Sequence, residues 1–268
     1  MVRILSKIGV ITGAVLIVML TVTALFANIL TEHNPIATNI QEQLSPPSRQ
    51  HPYGTDNMGR DNQTRVFHGF RTTLGASSLS VLTALILGGA LGLLAGGCGS
   101  TIYRAIILLA RFLSAGPGIL LILAIAYRWG SPALHMALGI PIVLIPGFIR
   151  VFSGLMLCKK DNNAKKLFGV VIAQISLGMA MAVLVCAGLG FIGLGAQPPT
   201  PEFGTMLASG IMYFRNAPWL VAYPGFALAV AALSFCILGE SLNALLLAGE
   251  SNGNITDLKE PGYQAIAE

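Results

Sequence analysis

Charge is scarce in this chain of 268 residues: Asp, Glu, Lys and Arg together make up 10% of it, against 54% hydrophobic residues. A mean hydropathy of +0.73 excludes a soluble globular domain. Acidic residues are the scarcer sign, 11 against 16 Lys and Arg. The cations gather at the ends of apolar runs and in short loops, a positive-inside pattern rather than a nucleic-acid surface. Cysteine is sparse too. Cys98, Cys158, Cys186 and Cys236 stand far apart without CxxC spacing and read as packing residues. His33, His51, His68 and His135 are scattered, so neither a metal site nor a cofactor is expected. The chain has no GxxxxGK(S/T), no GxSxG and no HExxH, and so no recognisable catalytic machinery.

Long apolar runs are what it does have. A membrane crossing takes roughly 20 residues, and six runs qualify: 8–30, 74–97, 103–127, 132–152, 168–193 and 219–247. The first is long for a signal peptide, and Leu25 spoils a small-x-small cleavage site before Asn28, so it reads as an uncleaved helix. Residues 31–72 are polar, hold Pro35, Pro46, Pro47 and Pro52, and form an external loop. The expected fold is an all-α polytopic membrane protein with about six transmembrane helices. Its parts are an N-terminal transmembrane helix (1–30), the external loop (31–72), a core of five more transmembrane helices (73–248) and a cytoplasmic tail (249–268). With both termini inside, the cytoplasmic segments carry Arg3, Lys7, Arg104, Arg150, Lys159, Lys160, Lys165, Lys166 and Lys259.

Two runs carry small residues every fourth position: Gly88, Gly92 and Gly96, and then Gly178, Ala182, Cys186 and Gly190. That spacing makes a face on which helix backbones approach closely, within the subunit or against a partner. Arg111 lies inside the third run, on nearly the same stripe as Arg104. A charge at that depth costs about 2.5–3.5 kcal/mol unless it snorkels or is paired, and Glu240 near the inner end of the sixth run is the candidate partner.

The external stretch 51–80, HPYGTDNMGRDNQTRVFHGFRTTLGASSLS, resembles the segment leading into the second helix of ABC importer permeases of the dipeptide, oligopeptide and nickel type. Its motif residues are Gly54, Thr55, Asp56, Gly59, Arg60, Asp61 and Arg65; the glycines permit tight turns, and Asp56, Arg60 and Asp61 can fix the loop by ion pairs or bonds to backbone. Residues 190–207, GFIGLGAQPPTPEFGTML, resemble the passage after that family's fifth helix, with Gln197, Pro198, Pro199, Pro201 and Gly204 as its motif. Residues 217–246 resemble its last helix, with Leu238-Gly239-Glu240 where Leu-Gly-Asp is common. The likeness covers nearly everything after residue 50 and points to the second of the two permease subunits.

This resemblance implies the type I ABC importer permease fold in a bacterial inner membrane. It also implies a heteromeric complex: a second permease subunit, two cytosolic ABC ATPases that hydrolyse the ATP, and an external substrate-binding protein. The chain itself would be no enzyme but half of a pathway for peptides, nickel or a metal chelate. In that family the cytoplasmic loop between helices four and five carries a Glu-Ala-Ala motif on a short helix that docks on the ATPase. CKKDNNAKKLFG, residues 158–169, stands in that place, with Lys159, Lys160, Asp161, Ala164, Lys165, Lys166 and Gly169 as the candidate coupling residues, but it has no Glu and is far shorter. An uncoupled or degenerate paralogue with a structural role, and a stand-alone channel or secondary transporter, stay open as alternatives.

Overall fold

The computed structural model describes residues 2–114, 121, 122, 124, 139–157 and 164–250. Among them the regular structure is helical apart from one isolated bridge between Thr55 and Asp61. Helix α1 spans Val2–Leu25 and is followed at once by the short α2, Ala27–Leu30. A loop containing one 3-10 turn, Ile40–Glu42, leads to the long α3, Asn62–Gly97. Then come α4, Ser100–Ser114, and α5, Ile140–Leu157. The last three are α6, Ala164–Phe191, the short α7, Phe203–Ile211, and α8, Trp219–Glu250.

Five of these are long and apolar enough to cross a bilayer: 3–25 in α1, all of α3 and α5, 167–191 in α6 and 219–246 in α8. The sixth expected span, 103–127, coincides with α4 up to Ser114 and beyond that lies mostly outside the described residues. The loop before α3, expected to be external and to run over 31–72, is shorter than its sequence suggests. Asp61 accepts from the Thr64 amide and caps α3 at Asn62, so 62–72 are helix and not loop. At about 1.5 Å per residue α3 is about 54 Å long, well beyond a hydrocarbon core of about 30 Å, and its first turns stand above the membrane.

The helices pack into two apolar clusters. One joins α3, α5 and α6 through Val81, Ala84, Leu144, Phe148, Met179 and Ala182. The other joins α1, α3, α6, α7 and α8 through Leu20, Phe70, Val183, Phe203, Met206 and Ala231, with Phe70 and Phe203 edge to face at 5.0 Å. The small-residue faces are internal. A Cβ on Gly88, Gly92 or Gly96 would stand 2.8, 2.7 and 2.3 Å from the Cβ atoms of Phe148, Phe152 and Met156, which seats the α3 stripe on α5. Gly178 faces Phe148, and Ala182 and Cys186 are fully buried, so the α6 stripe is spent inside the subunit as well. A third such contact, unremarked in the sequence, lies on α1: Cβ atoms on Gly9 and Gly13 would meet Ser241 Oγ at 2.1 Å and the Leu238 amide nitrogen at 2.8 Å. It fastens α1 to α8.

On the opposite side, α5 ends at Leu157 and α6 begins at Ala164. Ala164, Lys165, Lys166 and Gly169 are therefore not loop, as the sequence reading placed them, but the first turns of α6. A Cβ on Gly169 would meet Leu246 of α8 at 2.9 Å. Lys159, Lys160 and Asp161 lie outside the described residues.

Candidate functional site

The two sequence motifs, more than a hundred residues apart, meet at one end of the helices, beside the start of α3. The centre of the first is a tight turn over 56–60. Asp56 Oδ1 accepts the amides of Met58 (2.8 Å) and Arg60 (3.0 Å), and its Oδ2 accepts from Arg60 Nε at 2.7 Å. Gly59 sits at φ +71, and a Cβ there would stand 1.7 Å from the Asn39 carbonyl oxygen, so no other residue fits. Gly54, at φ +68, lies under the Trp219 indole, whose Nε1 a Cβ would meet at 2.6 Å. Trp219 Nε1 donates to the Thr55 carbonyl at 3.3 Å, and Thr55 Oγ1 donates to the Glu42 carbonyl and accepts the Ser45 amide at 2.9 Å.

Side chains at the start of α3 also tie this loop to the helices. Asn62 Nδ2 donates to the carbonyls of Tyr53 and Trp219, at 3.2 and 3.3 Å, and the rings of Tyr53 and Tyr223 stack 4.1 Å apart. Asp61 Oδ2 accepts from the Thr64 amide and hydroxyl, and its Oδ1 lies 2.9 Å from His51 Nδ1. Arg65 reaches furthest. Its Nη1 donates to the Pro35 carbonyl at 2.9 Å and the Pro199 carbonyl at 3.2 Å, while Nε lies 3.5 Å from Asp56 Oδ2. One guanidinium thus joins the segment after α2, the first motif and the second motif. Asp56, Arg60, Asp61 and Arg65 are all at most 8% exposed, and buried charges this well partnered hold a single arrangement because moving any one strands the others.

The second motif is built around a carboxylate the sequence reading quoted but did not single out. Glu202 is fully buried; its Oε2 accepts the Ala196 amide at 3.1 Å, and the Cys186 thiol lies 3.8 Å from Oε1. Burial outweighs these hydrogen bonds and pushes the Glu202 carboxyl up to about 7. Glycines make room for it: a Cβ on Gly190 or Gly195 would stand 2.4 or 2.2 Å from a Glu202 oxygen. Gly204 lets α7 lie on α6, since its Cβ would be 2.1 Å from the Ala187 carbonyl. Gln197 Nε2 donates to the carbonyls of Gly193 and Gly195 and closes the turn leaving α6; Pro198 and Pro199 are exposed, whereas Pro201 is buried beside Glu202.

Arg111 and Glu240 are not brought together. Arg111 is exposed on α4, which packs on α3 and α5, whereas Glu240 is exposed on α8, which packs on α1, α6 and α7. No ion pair joins them among the described residues. Aromatic and amide residues were the ones missed: Tyr53, Asn62, Trp219 and Tyr223 hold the loop down, and only the position of Trp219 at the start of an apolar run hinted at it.

No family-level sequence profile matches the chain. Individual relatives do. It is 34% identical to the dipeptide transport system permease protein DppC of Alkalihalophilus pseudofirmus, over 88% of this chain and 84% of that protein. The chain belongs to the DppC-type permease family of dipeptide ABC importers. Within that family it is 33% identical to the probable D,D-dipeptide transport system permease protein DdpC of Escherichia coli, over 88% of this chain and 86% of that protein. It is equally 33% identical to the glutathione transport system permease protein GsiD of Pectobacterium atrosepticum, over 75% of this chain and 73% of that one. Members of this family are transport subunits and not enzymes, and the DppC-type chain described here is a multi-pass, all-α membrane protein. The match to the first relative runs over 256 positions but draws on 88% of 268 residues, about 236, so about 20 positions have no counterpart in this chain.

Proposed function

We propose that this chain is one of two permease subunits of a binding-protein-dependent importer in a bacterial inner membrane, and forms half of a translocation path for short peptides. Both termini face the cytosol, so the Arg65 junction stands on the external side. The observation that carries the reading is that junction. It locks residues 51–65 and 197–204 into one rigid external cap, which is what a surface that receives a binding protein, or frames an outer gate, requires. Partners are a second permease subunit that completes the path, two cytosolic ATPases that hydrolyse ATP, and the external binding protein. Peptide is favoured over nickel by the names of the relatives, which include dipeptide and glutathione transporters.

A second reading concerns coupling. With only 158–163 between α5 and α6, this subunit has too little chain for a docking helix, and the relatives' surplus of about 20 positions supports a shortened loop here. In this reading the drive from ATP enters through the partner permease, while the Lys159-Lys160 and Lys165-Lys166 pairs touch an ATPase at most along its rim. The experiment is co-purification of the four-component complex with crosslinking from Cys158. Two ATPases per complex with Cys158 joined to one of them supports a reduced coupling contact. A complex in which Cys158 reaches neither supports one-sided coupling. Failure of the chain to enter any complex overturns both and favours a degenerate paralogue or a stand-alone transporter.

A further inference from the structure

The external loop folds two histidines together that are eighteen residues apart in sequence. The rings of His33 and His51 have centroids 5.0 Å apart, and one ligand atom each from His33, His51 and Asp61 lie within 4.8 Å of one another. We propose that these three residues form a binding site for a divalent transition metal of the zinc class, resident in the external loop. The inference is independent of the transport reading.

The hydrogen bonds around the two rings assign the ligand atoms. His33 Nε2 lies 3.2 Å from the Gln50 carbonyl, which can only accept, so that nitrogen carries the proton and Nδ1 keeps its lone pair. His51 Nε2 lies 3.3 Å from Glu42 Oε2 while its Nδ1 lies 2.9 Å from Asp61 Oδ1. A neutral imidazole has one N–H and can donate to only one of these two carboxylates. With that proton on Glu42, the Nδ1 lone pair faces a carboxylate oxygen, an arrangement that a second proton or a cation must bridge. The convergence of His33 on the same point supplies the third ligand that a bridging cation needs. Each imidazole then coordinates through Nδ1 while Nε2–H is held by an oxygen acceptor, the usual outer-shell support of a metal-bound histidine.

Size and setting fit. Tetrahedral bonds of about 2.0–2.2 Å put ligand atoms about 3.3–3.6 Å apart, and His51 and Asp61 are already closer than that. The exposed His33 ring closes the remaining gap by a small rotation. The site opens into a pocket of about 530 Å³ that leaves the fourth position to water or an incoming ligand. Two imidazoles and one carboxylate suit zinc, cobalt and nickel rather than calcium or magnesium. Bound metal would staple residues 33–51 to the capped start of α3.

The test uses the full chain, purified in detergent on a tag without histidine and titrated with zinc chloride against a chromophoric chelator, then with cobalt(II) chloride read by visible absorption. The expected result is one metal per chain, with tetrahedral cobalt bands. His33→Ala, at an exposed position that leaves the Asp61 cap intact, weakens binding at least a hundredfold. Glu42→Gln weakens it about tenfold, while His68→Ala leaves it unchanged. No stoichiometric binding by the wild-type chain overturns the proposal, and so does binding that survives His33→Ala within threefold.

Discussion

Replacing Arg65 by Ala removes a side chain that touches the segment after α2, the first motif and the second motif together. Two hydrogen bonds from a charged donor to the Pro35 and Pro199 carbonyls are lost, worth about 1.5–3 kcal/mol each. Asp56 keeps its closer partner Arg60 at 2.7 Å, so that carboxylate is not stranded and the ion-pair loss is small. The sum, about 3–6 kcal/mol, overlaps the usual cost of about 3–5 kcal/mol for breaking a buried charged pair. For a chain of this size it lowers the melting temperature by roughly 10 °C. Arg65→Lys should fall between, because a single ammonium cannot reach both carbonyls and Asp56 in a planar fork. The assay follows Trp219 emission on heating, with circular dichroism as a check that the helices form, and trypsin cleavage after exposed Arg49 as a probe of local opening. Cleavage is expected to accelerate at least tenfold. A variant that melts with the wild type and is cut no faster would refute the view that Arg65 holds the cap.

The buried Glu202 gives a pH signature. Its folded pKa of about 7 lies above the ordinary 4.5, so between these values the folded chain holds a proton that the unfolded chain has released. Stability therefore falls as pH rises from about 4.5 to about 7 and is flat above, by at most about 3 kcal/mol, and Glu202→Gln should remove this slope in thermal melts taken across that window. Gly59→Ala must place a side chain at positive φ against the Asn39 carbonyl; a loss of at least about 2 kcal/mol is expected in the same melts. Gly92→Leu forces α3 off α5, and size-exclusion chromatography of the solubilised variant should show an aggregated chain instead of a monodisperse peak.

The membrane character, and the courses of α6 and α8 to within a few residues, were legible because crossing a bilayer imposes a minimum apolar length. The start of α3 was not legible from hydropathy: its first turns are polar, and the signal was the capping pair Asp61 and Thr64 inside a stretch that read as loop. The internal packing of the Gly88, Gly92 and Gly96 face could not be known either, since a small-residue stripe looks the same whether its partner is a neighbouring helix or another chain. The cap was half visible. Turn glycines and local ion pairs such as Asp56 with Arg60 follow from short spacing, but the Arg65 bond to Pro199 spans 134 residues and leaves no local trace. Glu202 was hidden for a related reason: its carboxylate gains meaning only from the glycines at 190 and 195 that the fold turns toward it. The reading of Ala164–Gly169 as loop failed because a cationic stretch can equally be the first turns of a membrane helix.

The most direct test of the transport reading is uptake in proteoliposomes holding this chain, its partner permease and the two ATPases, with binding protein and labelled dipeptide outside and ATP within. The expected result is accumulation that needs ATP, needs the binding protein, and disappears when this chain is omitted. Accumulation that persists without this chain, or dipeptide flux through this chain alone without ATP, would contradict it.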